Sequence, residues 1–258
     1  MRKRYLFFDI DGTLMTGGYE HGYIPESTQE ALKLLRENGH FLAIATGRAH
    51  FMAKGIMRSL GFENMVSDGG YGITIENRLL GIRPLDKEPV IALVNECEEK
   101  GLAWGLQVDD SNVRLCPDGR FLEITDDIYL VTKIVPGLRP EEQEAIYKMY
   151  VACEYPTEFS LETLEQLPWC RYHDSYFFVE PTYKAVGIKT VMDYFRADYA
   201  DAIVFGDAEN DLSMFTDDWT KVAMGNAVPE LKAKADLVTT GVNEDGIWTA
   251  CKKLGLSE

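Results

Sequence analysis

Three apolar segments of the chain are each followed at once by residues that can bind a cation or an anion. The segments are YLFF (Tyr5–Phe8), FLAIA (41–45) and AIVF (202–205). The residues that follow them are, in chain order, Asp9, Asp11, Gly12, Thr46, Gly47, Arg48, Asp207, Asn210 and Asp211. Ligands of an open parallel sheet lie beyond the carboxyl ends of its strands. We therefore expect these residues to meet at one edge of a sheet.

Asp9, Asp207 and Asp211 would then form a cluster of three carboxylates. Like charges a few ångströms apart disfavour ionisation, so such a cluster needs a compensating cation. Mg²⁺ is a hard cation that prefers oxygen ligands and keeps open positions for water and phosphate oxygens. The sequence therefore predicts a Mg²⁺ site.

The same edge carries groups suited to a phosphate. Thr46 supplies a hydroxyl, and Lys184, at the start of the predicted helix before AIVF, supplies a positive charge. Backbone N–H groups of the turn at Gly12 and of the helix start after Thr46 complete an anion cradle. An anionic substrate needs such local groups because the protein's net charge of −16 repels anions at long range.

Asp9 is the natural nucleophile toward a phosphate held in this way. Its attack would give an aspartyl-phosphate. Hydrolysis of a phosphate monoester is very slow without a catalyst, and a covalent step combined with electrostatic stabilisation is a plausible way to accelerate it. Asp11 lies two residues further on, on the same side of an extended chain. It could protonate the leaving alcohol and then accept a proton from the attacking water.

Strands alternating with helices predict an α/β fold, with a Rossmann-like parallel-sheet core and an inserted α+β cap domain. We expect residues 1–82 and 182–258 to form the core and residues 83–181 the cap. Among the predicted helices are one in PESTQEALKLLRENGH, with a capping box of Ser27 and Glu30 and a left-handed Gly39, and another over Glu141–Met149. MTGGYEHGY (15–23) is predicted to form a loop or short flap.

Composition narrows the function classes. An acidic chain lacks the basic footprint that nucleic acid requires. No apolar run approaches the roughly 20 residues of a membrane span, and the apolar run after the basic N-terminus is too short for a signal peptide. The five scattered cysteines lack CxxC spacing, which favours reduced thiols over a zinc site. We expect a cytoplasmic protein without nucleic-acid or membrane partners.

The order DIDGT, TGR, Lys184 and GDAEND resembles that of the haloacid dehalogenase-like superfamily. VAMGNAVPELKAKAD and NEDGI extend the resemblance to the Cof-type sugar phosphatases, which have a large inserted cap. The resemblance implies a phosphoric monoester hydrolase that uses Mg²⁺ and an aspartyl-phosphate on Asp9. It also implies that the backbone carbonyl of Asp11 and the carboxylate of Asp207 bind the metal, while Asn210 and Asp211 support metal and phosphate.

Three functions remain open at this point. The leading one is hydrolysis of a small phosphorylated metabolite, taken as a sugar phosphate; the others are a phosphomutase of the phosphomannomutase type and a non-catalytic sensor of phosphorylated ligands. Arg48 and Asp68 are candidate substrate residues, as are Trp169–His173, and Asp68 stands where many relatives have Asn. The sequence leaves the substrate and the oligomeric state open.

Overall fold

The computed structural model describes residues 2–16 and 22–256, apart from the side chain of Tyr172. The chain divides into two compact units. The first comprises Met1–Ala49, Ala53–Gly81 and Tyr183–Glu258 in their described parts, and the second comprises His50–Met52 and Ile82–Thr182. Most of the predicted loop MTGGYEHGY lies outside the described residues.

The first unit is built on an eight-stranded sheet. Its strands are β1 (Tyr5–Phe8), β2 (Phe41–Ala45), β3 (Asn64–Ser67), β4 (Gly72–Ile75), β5 (Arg78–Ile82), β12 (Ala202–Gly206), β13 (Thr220–Ala223) and β14 (Leu237–Val238). Their order is β14-β13-β12-β1-β2-β3-β4-β5. The neighbours from β14 to β3 pair in parallel, whereas β3 and β4 pair in antiparallel.

Helices cover both faces of this sheet. They are α1 (Glu26–Glu37), α2 (His50–Ser59), α5 (Lys184–Tyr194), α6 (Pro229–Lys234) and α7 (Gly246–Lys253). In β1, Leu6 and Phe8 pack with α1, α2 and α7, while Tyr5 and Phe7 pack with α5 and α6. The alternation is the two-residue period of a strand, and β1 is apolar throughout because both of its faces are buried.

The second unit has its own six-stranded sheet. Its strands are β6 (Ala103–Gln107), β7 (Val113–Cys116), β8 (Val131–Ile134), β9 (Lys148–Ala152), β10 (Trp169–His173) and β11 (Tyr176–Val179), in the order β10-β11-β9-β6-β7-β8. Helix α3 (Lys87–Glu99) supplies Val90, Leu93 and Val94 to the core on one face, and α4 (Arg120–Thr125) supplies Phe121 to the other.

The predicted α/β class with a Rossmann-like parallel sheet is confirmed. The left-handed backbone at Gly39, with φ 77°, is confirmed as well. The capping box is wrong, because α1 begins at Glu26 after Pro25 and no side chain caps its first turn. Ser27 is already inside the helix, where its buried hydroxyl has no hydrogen-bond partner among the described residues.

The helix predicted over Glu141–Met149 is also wrong. The segment has a short 3-10 turn, Pro140–Glu142, and then enters β9, which pairs with both β6 and β11. All five residues of β9 are buried. Pairing and burial in the centre of a sheet override the helical propensity of the preceding acidic stretch. Sequence reasoning also missed α4, β8 and β10.

No helix in the described part of the chain is long and apolar enough to cross a membrane.

Close backbone packing holds the start of α5. A Cβ at Gly187 would lie 2.3 Å from Val66 Cγ1 and 2.7 Å from the carbonyl oxygen of Gly70. Gly187→Ala should therefore lower the free energy of unfolding by about 1 to 3 kcal/mol through overpacking. Urea denaturation measures the change.

Gly55→Ala is the matched control, because nothing lies within 4 Å of a Cβ at this exposed position in α2. It should leave stability unchanged or raise it by up to about 1 kcal/mol. Equal effects of the two substitutions would contradict the packing argument.

Candidate active site

Three carboxylates from different parts of the chain meet at the carboxyl edge of the first sheet. Asp9 follows β1, Asp207 follows β12, and Asp211 lies in the 3-10 helix Glu209–Met214. One oxygen of each lies within 4.8 Å of the others. Asp9 and Asp211 are 4% and 0% exposed, so solvent screens their repulsion little.

The ammonium group of Lys184 lies between two of these acids. Lys184 is the first residue of α5 and is 1% exposed. Its Nζ is 2.6 Å from Asp9 Oδ1 and 2.6 Å from Asp211 Oδ1. Its backbone N–H donates to Ser213 Oγ at 3.1 Å, which ties the start of the helix to the turn that carries Asp211.

Asp211 also shapes the turn in which it lies. Its Oδ2 accepts hydrogen bonds from the backbone N–H groups of Asp207 at 2.8 Å and Ala208 at 3.0 Å. A Cβ at Gly206 would lie 2.7 Å from this carboxylate, so glycine is required for the close approach. Asp211 therefore fixes both Lys184 and the backbone from which Asp207 projects.

Two neighbours hold the carboxylate of Asp207. The hydroxyl of Thr13 donates to Oδ1 at 2.8 Å, and Asn226 Nδ2 lies 3.3 Å from Oδ2. Gly12 has φ 82°, and a Cβ there would lie 2.0 Å from Asp207 Oδ2. The DGT turn after β1 and the turn after β12 thus pack directly against each other.

Asp11 stands apart from the three-carboxylate group and forms an ion pair with Arg48. Arg48 Nε donates to Asp11 Oδ2 at 2.8 Å, and Nη2 donates to Oδ1 at 2.5 Å. The Asp11 side chain is 44% exposed, whereas that of Arg48 is 12% exposed. Sequence reasoning assigned Asp11 to acid–base and metal roles and Arg48 to phosphate; the structure joins the two side chains to each other.

The remaining predicted residues are distributed over both units. The buried Thr46 Oγ1 accepts the backbone N–H of Arg48 at 3.1 Å. A Cβ at Gly47 would lie 3.5 Å from Asn210 Nδ2, and Asn210 Oδ1 is a buried atom with no hydrogen-bond partner among the described residues. The carboxylate of Asp68, a buried residue with φ 50°, accepts the Ser67 hydroxyl at 2.8 Å. Trp169–His173 form β10 of the second unit.

Burial and mutual repulsion make two of the acids, Asp9 and Asp207, hard to ionise. Burial raises the pKa of Asp9 to about 8; Lys184 opposes the rise, and Asp211 and Asp207 add to it. Burial, followed by the charge of Asp211, raises the pKa of Asp207 to about 7. Burial disfavours charge on Lys184, but Asp211 and Asp9 together raise its pKa above the ordinary value. Lys184 thus stays protonated, and one ammonium faces three acids.

These observations fit a divalent cation. The donors are carboxylate oxygens, which magnesium prefers, and an added positive charge would relieve the repulsion that raises the two pKa values. Asp9 and Asp207 would hold the ion. Asp211 is 0% exposed and already accepts three hydrogen bonds, from Lys184 and from two backbone N–H groups, whereas Asp207 accepts two; we therefore expect Asp211 to support the other two acids rather than bind the ion.

Comparisons with known proteins agree with this geometry. The sequence profile of the haloacid dehalogenase-like hydrolases matches residues 6–250. The chain belongs to this family. It is 35% identical to YkrA of Bacillus subtilis strain 168, a protein with a provisional phosphatase designation, over 99% of each chain.

Solved structures give the same result for this hydrolase. A hypothetical protein from Geobacillus kaustophilus HTA426 superposes with a TM-score of 0.85 at 33% identity, covering 99% of this chain and 100% of the other. A sugar phosphatase of haloacid dehalogenase subclass IIB superposes with a TM-score of 0.76 at 28% identity, covering 98% and 100%. The predictions of the superfamily, of its Cof-type branch and of a phosphatase-class enzyme are confirmed.

Sequence reasoning missed three residues of the site. Thr13 and Asn226 hold Asp207, and Ser213 holds the start of α5. Thr13 belongs to DIDGT and Asn226 to VAMGNAVPE, so both lie in segments that carry the family resemblance. Their positions in those segments were the available signal, but spacing alone could not show which carboxylate they contact.

The raised pKa values predict how metal binding depends on pH. Asp9 binds its proton more tightly in the folded protein, so the metal-free fold loses stability as pH rises from 3.8 toward about 8. A cation that favours ionised carboxylates should recover this loss. The rise in Tm caused by Mg²⁺ should be at least about 3 °C larger at pH 8 than at pH 5.5.

Differential scanning fluorimetry with Mg²⁺ or a chelator tests this, with Asp207→Asn as the variant that should lose most of the Mg²⁺ effect. A Mg²⁺ effect that is the same at both pH values in the wild type would contradict the assignment.

Removing the shared ammonium should destabilise the fold. In Lys184→Met, Asp9 and Asp211 lose their buried partner, which should cost about 3 to 5 kcal/mol at pH 8. The cost should be smaller at pH 5, where the raised pKa keeps Asp9 protonated. Urea denaturation of the metal-free proteins measures both values.

Lys189→Met on the same helix is the control. The side chain of Lys189 is 40% exposed and pairs with Asp218 at 2.7 Å. Its loss should cost at most about 1 kcal/mol. A larger cost than that of Lys184→Met would show that the buried pair does not govern stability.

Proposed function

We propose that this hydrolase is a Mg²⁺-dependent phosphatase that hydrolyses a small phosphorylated metabolite, a sugar phosphate, through an aspartyl-phosphate on Asp9. The observation that carries the proposal is the buried Asp9 carboxylate. It shares the Lys184 ammonium with Asp211 and lies within 4.8 Å of Asp207. The role of residues 83–181 as a cap stays a prediction.

Asp9 would be the nucleophile. Lys184 Nζ donates to Oδ1 at 2.6 Å, which leaves Oδ2 for attack on phosphorus. A bound Mg²⁺ would add the positive charge that favours ionised Asp9 and would stabilise charge on the phosphoryl oxygens. In the first step the bond from Asp9 to phosphorus forms, and the bond from phosphorus to the leaving oxygen breaks.

Thr46 and Asn210 would receive the phosphoryl group. A hydroxyl that accepts one hydrogen bond can still donate, so Thr46 can bind a phosphate oxygen while it accepts from Arg48 N–H. The amide nitrogen of Asn210 can donate to a phosphoryl oxygen, whereas its buried Oδ1, which has no partner among the described residues, accepts only from a donor such as water. The backbone N–H of Gly47 lies in the same turn as Thr46, whereas the backbone N–H of Gly12, which was expected to bind phosphate, donates to Met15 O at 2.8 Å.

The Asp11–Arg48 ion pair would open during catalysis. A general acid must donate a proton to the leaving oxygen, whereas both oxygens of Asp11 face the guanidinium of Arg48 and accept its hydrogen bonds. A phosphate dianion competes for the same guanidinium, because Arg binds phosphate and carboxylate with one fork of donors. Substrate binding would thus transfer Arg48 to the phosphate and free Asp11 to protonate the leaving oxygen.

Asp11 would serve again in the second step. It accepts a proton from water as the water oxygen binds phosphorus, and the bond from phosphorus to Asp9 breaks, which releases inorganic phosphate. A phosphomutase would pass the phosphoryl group to a second hydroxyl instead. The sugar-phosphate class is supported by the subclass IIB neighbour, which is described as a sugar phosphatase.

A panel of phosphorylated metabolites, assayed for free phosphate with Mg²⁺ or with a chelator, tests the proposal. We expect hexose or pentose phosphates to be hydrolysed and the chelator to abolish the release. Asp9→Asn should lower the rate at least about 10³-fold, because it removes the nucleophile. Isomerised sugar phosphate without phosphate release would instead indicate a mutase, and unchanged release by Asp9→Asn would exclude Asp9 as nucleophile.

The covalent step can be tested separately with Asp11→Ala and p-nitrophenyl phosphate. This substrate has a leaving group that needs no protonation, so the first step should survive while attack by water slows about 10²- to 10⁴-fold. Rapid mixing should show a burst of about one equivalent of nitrophenolate, followed by slow turnover. The Asp9→Asn/Asp11→Ala double variant should show no burst. A burst in the double variant would rule out an aspartyl-phosphate on Asp9.

A further inference from the structure

Two segments near the C-terminus supply no nucleophile, acid, base or cation to the chemistry described so far. VAMGNAVPE (222–230) begins with the last two residues of β13, and NEDGI (243–247) ends with the first two residues of α7. Neither contains a residue that contributes charge to the three-carboxylate cluster. The structure nevertheless brings Asn226, from the first segment, to the edge of the site.

Both polar atoms of the Asn226 side-chain amide form hydrogen bonds. Nδ2 lies 2.9 Å from the carbonyl oxygen of Gly12 and 3.3 Å from Asp207 Oδ2, and Oδ1 accepts the backbone N–H of Val242 at 2.9 Å. A flipped amide would place an oxygen against a carbonyl and a carboxylate, and a nitrogen against an N–H donor. The network therefore defines the orientation of the amide.

The loop that receives Asn226 is itself packed and hydrogen-bonded. Gly225 N donates to Thr240 O at 2.9 Å, and a Cβ on Gly225 would lie 2.5 Å from Gly241 N. Within the loop, the Thr240 hydroxyl donates to Glu244 O at 2.6 Å, and Gly241 N donates to Glu244 Oε2 at 3.1 Å. The loop can thus serve as a fixed support for the amide.

We infer that Asn226, anchored on the backbone N–H of Val242, is a positioning residue that fixes the Asp207 carboxylate and the Gly12 carbonyl. The inference rests on the proposed Mg²⁺ site. A carboxylate rotates about its Cβ–Cγ bond unless both oxygens are held. In Asp207, Thr13 holds Oδ1 and Asn226 holds Oδ2, so the two together set its plane.

The expected consequence is on metal affinity. Groups that form hydrogen bonds to a metal-binding side chain and orient it typically change the metal affinity 10- to 100-fold when they are removed. Asn226→Ala should raise the Mg²⁺ dissociation constant about tenfold. It should leave Tm of the metal-free protein close to wild type, since the side chain is exposed. Activity should return to within about threefold of wild type when Mg²⁺ is raised in proportion.

Isothermal titration of the substrate-free chain, residues 1–258, with MgCl₂ is the primary measurement, because it does not depend on turnover. Asn243→Ala is the matched control, since it removes an exposed asparagine of the same loop. The Asn243 side chain accepts a hydrogen bond from the Tyr23 hydroxyl at 3.0 Å and forms no hydrogen bond with Asp207 among the described residues. Its Mg²⁺ affinity should equal that of wild type. Equal affinity of Asn226→Ala and wild type would overturn the inference.

Asp207→Asn separates this inference from the proposed function. If Asp207→Asn loses Mg²⁺ binding while Asn226→Ala keeps it, the metal site stands and the positioning role is wrong. If Asp207→Asn binds Mg²⁺ as wild type does, the metal site itself is wrong. A fall in Tm of metal-free Asn226→Ala, with activity that added Mg²⁺ does not recover, would assign Asn226 a general structural role and also overturn the inference.

Discussion

The site depends on one buried ammonium group shared by two carboxylates. Lys184 lies 2.6 Å from Asp9 and 2.6 Å from Asp211, and all three are nearly inaccessible to water. Breaking a buried ion pair leaves an uncompensated charge in the interior of the protein. The site therefore cannot keep its structure without this contact. It also joins three elements that are distant in the sequence: the end of β1, the start of α5 and the turn after β12.

Close backbone approach at glycine makes that contact possible. Gly187 lets α5 lie against the turn at Gly70, which places Lys184 at the sheet edge. Gly206 lets the Asp211 carboxylate reach the backbone N–H groups of Asp207 and Ala208. Any other residue at Gly187 or Gly206 would force these segments apart, and the polar contacts at the sheet edge would lengthen with them.

The sequence was most informative where one general rule sufficed. Parallel strands end at one edge of a sheet, and this rule alone grouped Asp9, Asp207 and Asp211, whose oxygens lie within 4.8 Å. The helix prediction from local propensity failed at β9. Acidic residues with helical propensity precede this strand, which is buried by pairing on both sides. Local propensity carries no information about such long-range pairing.

Side-chain partners were the second limit of the sequence. Spacing placed Asp11 and Arg48 at the same edge but could not show that they bond to each other at 2.8 and 2.5 Å. The role of Asn226 could not be predicted from the sequence for a related reason. An asparagine has no charge that suggests a role, so its role follows only from the groups that it contacts. The metal and acid–base roles of individual residues therefore stay predictions, while the fold class and the family are established.

The electrostatics of the site favour the binding of a cation, and they lower the stability of the metal-free protein. Burial and mutual repulsion raise the pKa of Asp9 to about 8 and that of Asp207 to about 7, so the metal-free site is least favourable at the pH where both must be ionised. A protein without use for that charge would gain stability by replacing one acid. Retaining the cluster makes sense if a cation recovers the cost on binding, because the same repulsion that weakens the empty fold then strengthens its affinity for the metal.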